Sequence, residues 1–152
     1  NLHRIFQALE QNQPGGVTSL VPILHELAER LKQRGLIIVI SDLLDEPEQV
    51  MRALQHFVYR KHQVIVFHLM DPMELDFPYD RLTTFVDLES AYRMLTDPRQ
   101  IRKAYLQELE TFLRTYRQRC TDAGIEYLLV NTSERYDEML VRYLVARRRL
   151  IK

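Results

Sequence analysis

The stretch "RGLIIVISDLLDEPEQVMRAL", Arg34–Leu54, decides the fold. Leu36–Ser41 is a continuous apolar run rich in β-branched residues, the pattern of a strand covered on both faces in a parallel sheet. Asp45-Glu46-Pro47-Glu48 resembles a capping box and opens a helix carrying Val50, Met51, Leu54, Phe57 and Val58. Between the two lies Asp42. Asp45 is placed to cap the helix, so Asp42 has no evident structural duty. A carboxylate beyond a strand tip is a ligand type for a hard cation such as Mg²⁺.

Outward from this unit, helical and strand signals alternate. Leu20, Ile23, Leu24, Leu27, Ala28 and Leu31 recur at helical spacing, with Thr18 or Ser19 as cap and Gly35 as stop. His62–Met70, "HQVIVFHLM", is a second buried strand, and Ile125–Val130 a third. Asp97-Pro98 begins the longest helix, whose inner stripe is Ile101, Tyr105, Leu109, Phe112, Leu113, Tyr116 and Cys120; Gly124 ends it. Tyr136 to about Arg149 closes the chain as a helix with Met139, Leu140, Tyr143 and Leu144 inward. Residues 74–95 break the alternation with short β-prone pieces, Leu75–Phe77 and Thr83–Asp87, and read as a hairpin-like insertion. With no repeat or linker, residues 1–152 read as a single α/β domain: three parallel strands in the order given, right-handed crossovers, helices on both faces. Leu2, Ile5, Phe6 and Leu9 already follow helical spacing, so the chain is expected to be a piece of something longer.

Composition narrows the classes. The 21 lysines and arginines balance 21 aspartates and glutamates, giving no pull toward nucleic acid or an acidic surface. Arg147-Arg148-Arg149 complements a helix C-terminus rather than forming a nucleic-acid patch. No apolar run approaches the roughly 20 residues that span a bilayer. One cysteine, Cys120, suits a reducing compartment, and a cytoplasmic protein is expected. On the inner stripe of its helix it reads as packing.

In open α/β sheets ligands sit beyond the carboxyl ends of the strands. Ser41/Asp42, His68/Asp71 and Asn131/Thr132 fall there, either as caps and loop starters or as site residues. A histidine late in an apolar strand reads first as packed and hydrogen-bonded, and second as lining the crevice. "QPGGVTSL", Gln13–Leu20, lacks the lysine and preceding strand of a phosphate loop, so Thr18 is an N-cap by default. The Phe77-Pro78-Tyr79 turn is either a partner contact or a folded-back loop.

Several segments together resemble a bacterial family, the domain of unknown function fifty-eight. They are "GGVTSL", "RGLIIVISDLLDEPEQVMRAL", "HQVIVFHLMDPMELDFPYD", "DPRQIRKAYL" and "GIEYLLVNT". The resemblance implies a von Willebrand factor A-like (Rossmann-type) fold with a metal-ion-dependent adhesion site. Carried over by position, Thr18 and Asp42 are its metal ligands, and Mg²⁺ its ion in a full-length parent. The Asp-x-Ser-x-Ser loop that supplies the main carboxylate is absent from these residues, so this chain looks like the C-terminal part of such a domain, with metal binding weak or lost. The implied role is a non-catalytic protein-interaction module acting with a MoxR-type AAA+ ATPase in assembly or chaperone-like work. An Mg²⁺-dependent phosphoryl-transfer or hydrolytic enzyme using Asp42 and Asp71 is the alternative, and a purely structural domain the third reading. The edge of Leu36–Ser41, unprotected by lysine, proline or inward charge, is expected either to be covered by the N-terminal segment Asn1–Gln13 or, as the preferred reading, to pair antiparallel with that of a second copy.

Overall fold

The computed structural model describes residues 2–11, 19–87 and 92–150. Helix α1 (Leu2–Gln11) is followed by α2 (Leu20–Arg30), β1 (Leu36–Ser41), α3 (Pro47–Tyr59) and β2 (Gln63–Met70). Then come a short α4 (Pro72–Asp76), the pair β3 (Thr83–Val86) and β4 (Arg93–Thr96), α5 (Pro98–Asp122), β5 (Glu126–Asn131) and α6 (Tyr136–Leu150). β1, β2 and β5 form a parallel sheet in that spatial order, as their apolar runs predict. β3 and β4 pair antiparallel inside the expected insertion.

Helices cover the two faces of the sheet unequally. On one face Ile37, Val39, Val64 and Val66 bury against Leu24 and Ala28 of α2, five residues of α3, and Tyr116 and Cys120 of α5. On the other, Ile65, Phe67 and Val130 pack under Met139 and Tyr143 of α6. The register sets Ile38 beside Ile65 and Ile40 beside Phe67, so these four share the α6 face. α6 stops short of β1. Ile65 is 1% exposed whereas its neighbour Ile38 is 51% exposed. The expected burial of β1 on both faces is therefore corrected: Leu36, Ile38 and Ile40 are exposed, and so are Leu140 and Leu144 of α6, expected inward. The apolar stripe of α1, Leu2, Ile5, Phe6 and Leu9, is exposed as well.

The helix ends follow proline and glycine chemistry. Asp97 caps α5 by accepting from the Arg99 amide, with Pro98 at the first helical position. At the other end Gly124, at φ 69°, lets its own amide reach Thr121 and that of Ile125 reach Cys120. This is the double bond of a left-handed glycine stop. Three expectations fail locally. Leu75–Phe77 is not β: Leu75 and Asp76 close α4, and Phe77 is its left-handed cap, buried against Tyr79, Phe85 and Tyr105. α2 ends at Arg30 instead of running to Gly35, whose amide bonds His62 Nδ1 at 3.2 Å. No capping box opens α3, because its N-cap is Glu46, whose side chain makes no cap bond.

Candidate functional site at the carboxyl edge of the sheet

β1, β2 and β5 end together, which brings Ser41/Asp42, His68/Asp71 and Asn131/Thr132 to one edge. Each has a local reason for its conformation. Asp71 caps α4, its Oδ1 accepting from the Met73 amide at 2.7 Å while Glu74 accepts from the Asp71 amide at 3.1 Å. This reciprocal pair is the capping box. Asn131 Oδ1 accepts from the amide and hydroxyl of Ser133, an Asx turn that leads toward α6. The Thr132 amide continues the sheet onto the Met70 carbonyl, and its hydroxyl lies 3.5 Å from Asp71 Oδ2.

The β1 tip is held differently. Asp42 is exposed, and among the described residues its side chain accepts a single long bond, 3.3 Å, from the Ser41 hydroxyl. Its carbonyl faces inward, 2.9 Å from Nε2 of His68. Leu43 follows at φ 55°, a left-handed conformation that costs a leucine roughly 1–2 kcal/mol. The strain is offset because the turn carries the Leu43 side chain fully into the core, where its carbonyl accepts from the Tyr116 hydroxyl at 3.2 Å. Asp45, expected to cap α3, instead accepts from the Leu20 amide at 2.6 Å and so caps α2. Ser19 occupies the N-cap position of α2 but makes no side-chain cap bond.

His68 is fully buried, and burial holds its imidazole below the ordinary histidine value. Nδ1 lies 2.7 Å from the Tyr127 hydroxyl, and the rings of Phe112, Tyr116 and Tyr127 pack edge-on around it. The packed, hydrogen-bonded reading of His68 describes this setting. Burial also pushes the Tyr127 hydroxyl up to about 12, so it stays a donor at neutral pH. Tyr127 had no place among the sequence candidates, and Tyr116 entered only as an inner-stripe residue. The available signal was a tyrosine inside an otherwise aliphatic strand, whose buried hydroxyl demands a partner.

Of the two implied metal ligands, Thr18 lies outside the described residues, as do Gln13–Val17, so only Asp42 is placed. Among the described residues no hydrogen bond or ion pair joins Asp42 to Asp71, and no group of three or more His, Cys, Asp or Glu side chains is arranged to hold a metal ion. One exposed carboxylate and one hydroxyl do not make up the near-octahedral oxygen set that Mg²⁺ requires. The donors in view do not fit that ion by themselves. Above this edge a cavity of about 340 Å³ opens between β1, β2, β5 and α6, floored by Ile40, Phe67, Leu69 and Val130 and rimmed by Glu134 and Tyr136.

Residues 1–112 match the model of a family described as Protein of unknown function DUF58. The chain belongs to that family. The DUF58 match takes in Asp42, His68, Asp71 and Phe112, and ends before Tyr116, Tyr127 and Asn131. No curated protein and no solved structure matches the chain. Among the described residues no helix is long and apolar enough to cross a membrane.

Proposed function

We propose that the chain is a non-catalytic protein-interaction module whose contact surface is the free flank of β1 with the Asp42 tip. One observation carries this reading. Among the described residues β1 pairs with β2 on one side only, exposes Leu36, Ile38 and Ile40, and ends in an exposed carboxylate. A strand with an unpaired edge and a bare apolar face accepts an extended segment of another chain, because both the ladder bonds and the apolar area are then satisfied. The capping duty of Asp71 favours binding over Mg²⁺-assisted chemistry, which needs carboxylates free to take ligands. The partner that the DUF58 resemblance implies is a MoxR-type AAA+ ATPase, and the work assembly or chaperone-like. In its absence β1 pairs antiparallel with β1 of a second copy.

Light scattering on the purified chain and on an Ile38→Lys variant tests the surface. The wild type should give the mass of a dimer and the variant that of a monomer, and a purified MoxR-type ATPase should bind the immobilised wild type and not the variant. A monomeric wild type that ignores the ATPase, with Leu36–Ser41 amides exchanging as fast as a loop, would remove β1 as the contact.

A further inference from the structure

We propose that His68 is a positioning residue: with Nε2 donating to the Asp42 carbonyl and Nδ1 accepting from the Tyr127 hydroxyl, it holds that carbonyl inward and so turns the Asp42 side chain out to solvent at the tip of β1. The purpose rests on reading Asp42 as part of the contact surface. The geometry stands without it.

The proton assignment follows from hydrogen-bond chemistry. The Asp42 oxygen at 2.9 Å is a carbonyl and can only accept, so Nε2 must donate. In the neutral ring Nδ1 is then a bare lone pair, and the Tyr127 hydroxyl 2.7 Å away donates to it. The relay runs in one direction, from Tyr127 on β5 through His68 on β2 to the loop that follows β1. It links all three strands of the sheet, from Tyr127 near the start of β5 to the carboxyl tip of β1.

The held carbonyl belongs to the residue where the chain reverses. With the Asp42 carbonyl drawn inward, Leu43 takes its left-handed φ of 55° and drops into the core. Its amide donates to Ser41 Oγ at 3.1 Å, and its carbonyl accepts from Tyr116 on α5. Residues 42 and 43 are thus pinned from β1, β2 and α5 at once, while the Asp42 carboxylate, touched by the Ser41 hydroxyl at 3.3 Å, stays exposed to solvent. An apolar residue at position 68 would fill the same space without desolvating two polar nitrogens. The imidazole supplies what a leucine cannot, a donor aimed at one carbonyl.

The test uses the whole chain without any partner, so its failure is separable from failure of the interaction reading. Long-range proton–nitrogen NMR at pH 7 should show His68 as the Nε2–H tautomer alone. In Tyr127→Phe the Nε2–H tautomer should persist, because the Asp42 carbonyl still takes that proton. Replacing His68 by leucine should speed exchange of the Leu43 amide about tenfold or more while Val66 and Phe57 hold their rates. In His68→Gln, whose side-chain amide restores a donor, the rate should stay within about threefold of wild type. An Nδ1–H tautomer would overturn the proposal. So would a leucine variant in which Leu43, Val66 and Phe57 accelerate alike, or a glutamine variant no better than leucine. Should the leucine variant not fold, the tautomer of the wild type and of Tyr127→Phe decides the matter: Nε2–H in both supports the proposal, and Nδ1–H in either overturns it.

Discussion

β1 and β2 are written in nearly the same letters, "LIIVIS" and "QVIVFHLM", and live in different surroundings. β2 has a strand on each side and helices over both faces, and six of its eight residues are buried. Among the described residues β1 has one neighbour and one covered face, and of its six residues Ile37 and Val39 are buried. The apolar run therefore states what a strand asks of its surroundings, and the neighbours decide how much of that is met. An alternating burial pattern on β1 arises from a sequence that does not alternate. The unmet half is what the proposed contact surface rests on.

The largest expected effect tests this contrast directly. Ile65→Ala on β2 should cost about 2–5 kcal/mol in urea unfolding, the range for emptying a packed site, whereas Ile38→Ala beside it should cost less than about 1 kcal/mol. Equal losses would mean that the exposed face of β1 is covered in solution, as in the proposed dimer, which the Ile38→Lys comparison would detect. A smaller effect is expected at the tip. Tyr116→Phe removes the donor to the Leu43 carbonyl and should cost about 0.5–1.5 kcal/mol, showing that β1 is held firmly at its end while bare along its flank. Least of all is expected from Mg²⁺. Calorimetric titration should show binding no tighter than about millimolar. Micromolar affinity lost in Asp42→Ala would show that the tip of β1 is an ion site in its own right.

The sheet was legible because strand identity is local: β-branched runs bounded by glycine and acids place β1, β2 and β5 to within a residue. The stop at Gly124 was legible for the same reason. Caps were read less well, although the rule was present in the chain. Proline at the first helical position makes the residue just before it the N-cap. In Asp71-Pro72 and Asp97-Pro98 that residue is aspartate, and both cap. In Asp45-Glu46-Pro47 it is glutamate, and Asp45, one position too early, is free to serve α2. The candidate site was legible only in part. Asp42, His68 and Asp71 stand out by their positions at strand ends, but what holds them does not. The partners of His68 lie 26 and 59 residues away in the chain, and no local pattern announces a bond over that distance. The same holds for α6, whose Leu140 and Leu144 fit an inward stripe by spacing, yet the helix reaches only β2 and β5.

The bond from Asp45 to the Leu20 amide spans 25 residues and has a consequence for the order in which the chain folds. A helix capped by its own neighbour can complete its first turn alone, since the cap closes within the nucleating segment. α2 borrows its cap from the loop after β1, so its first turn is complete only once β1 has docked and that loop has formed. The docking step must bear the loop-closure entropy of that span before the cap bond forms. Folding and unfolding rates of Asp45→Ala therefore report whether α2 begins before or after the transition state. A variant that unfolds faster while folding at the wild-type rate places the start of α2 late, on the native side of the barrier.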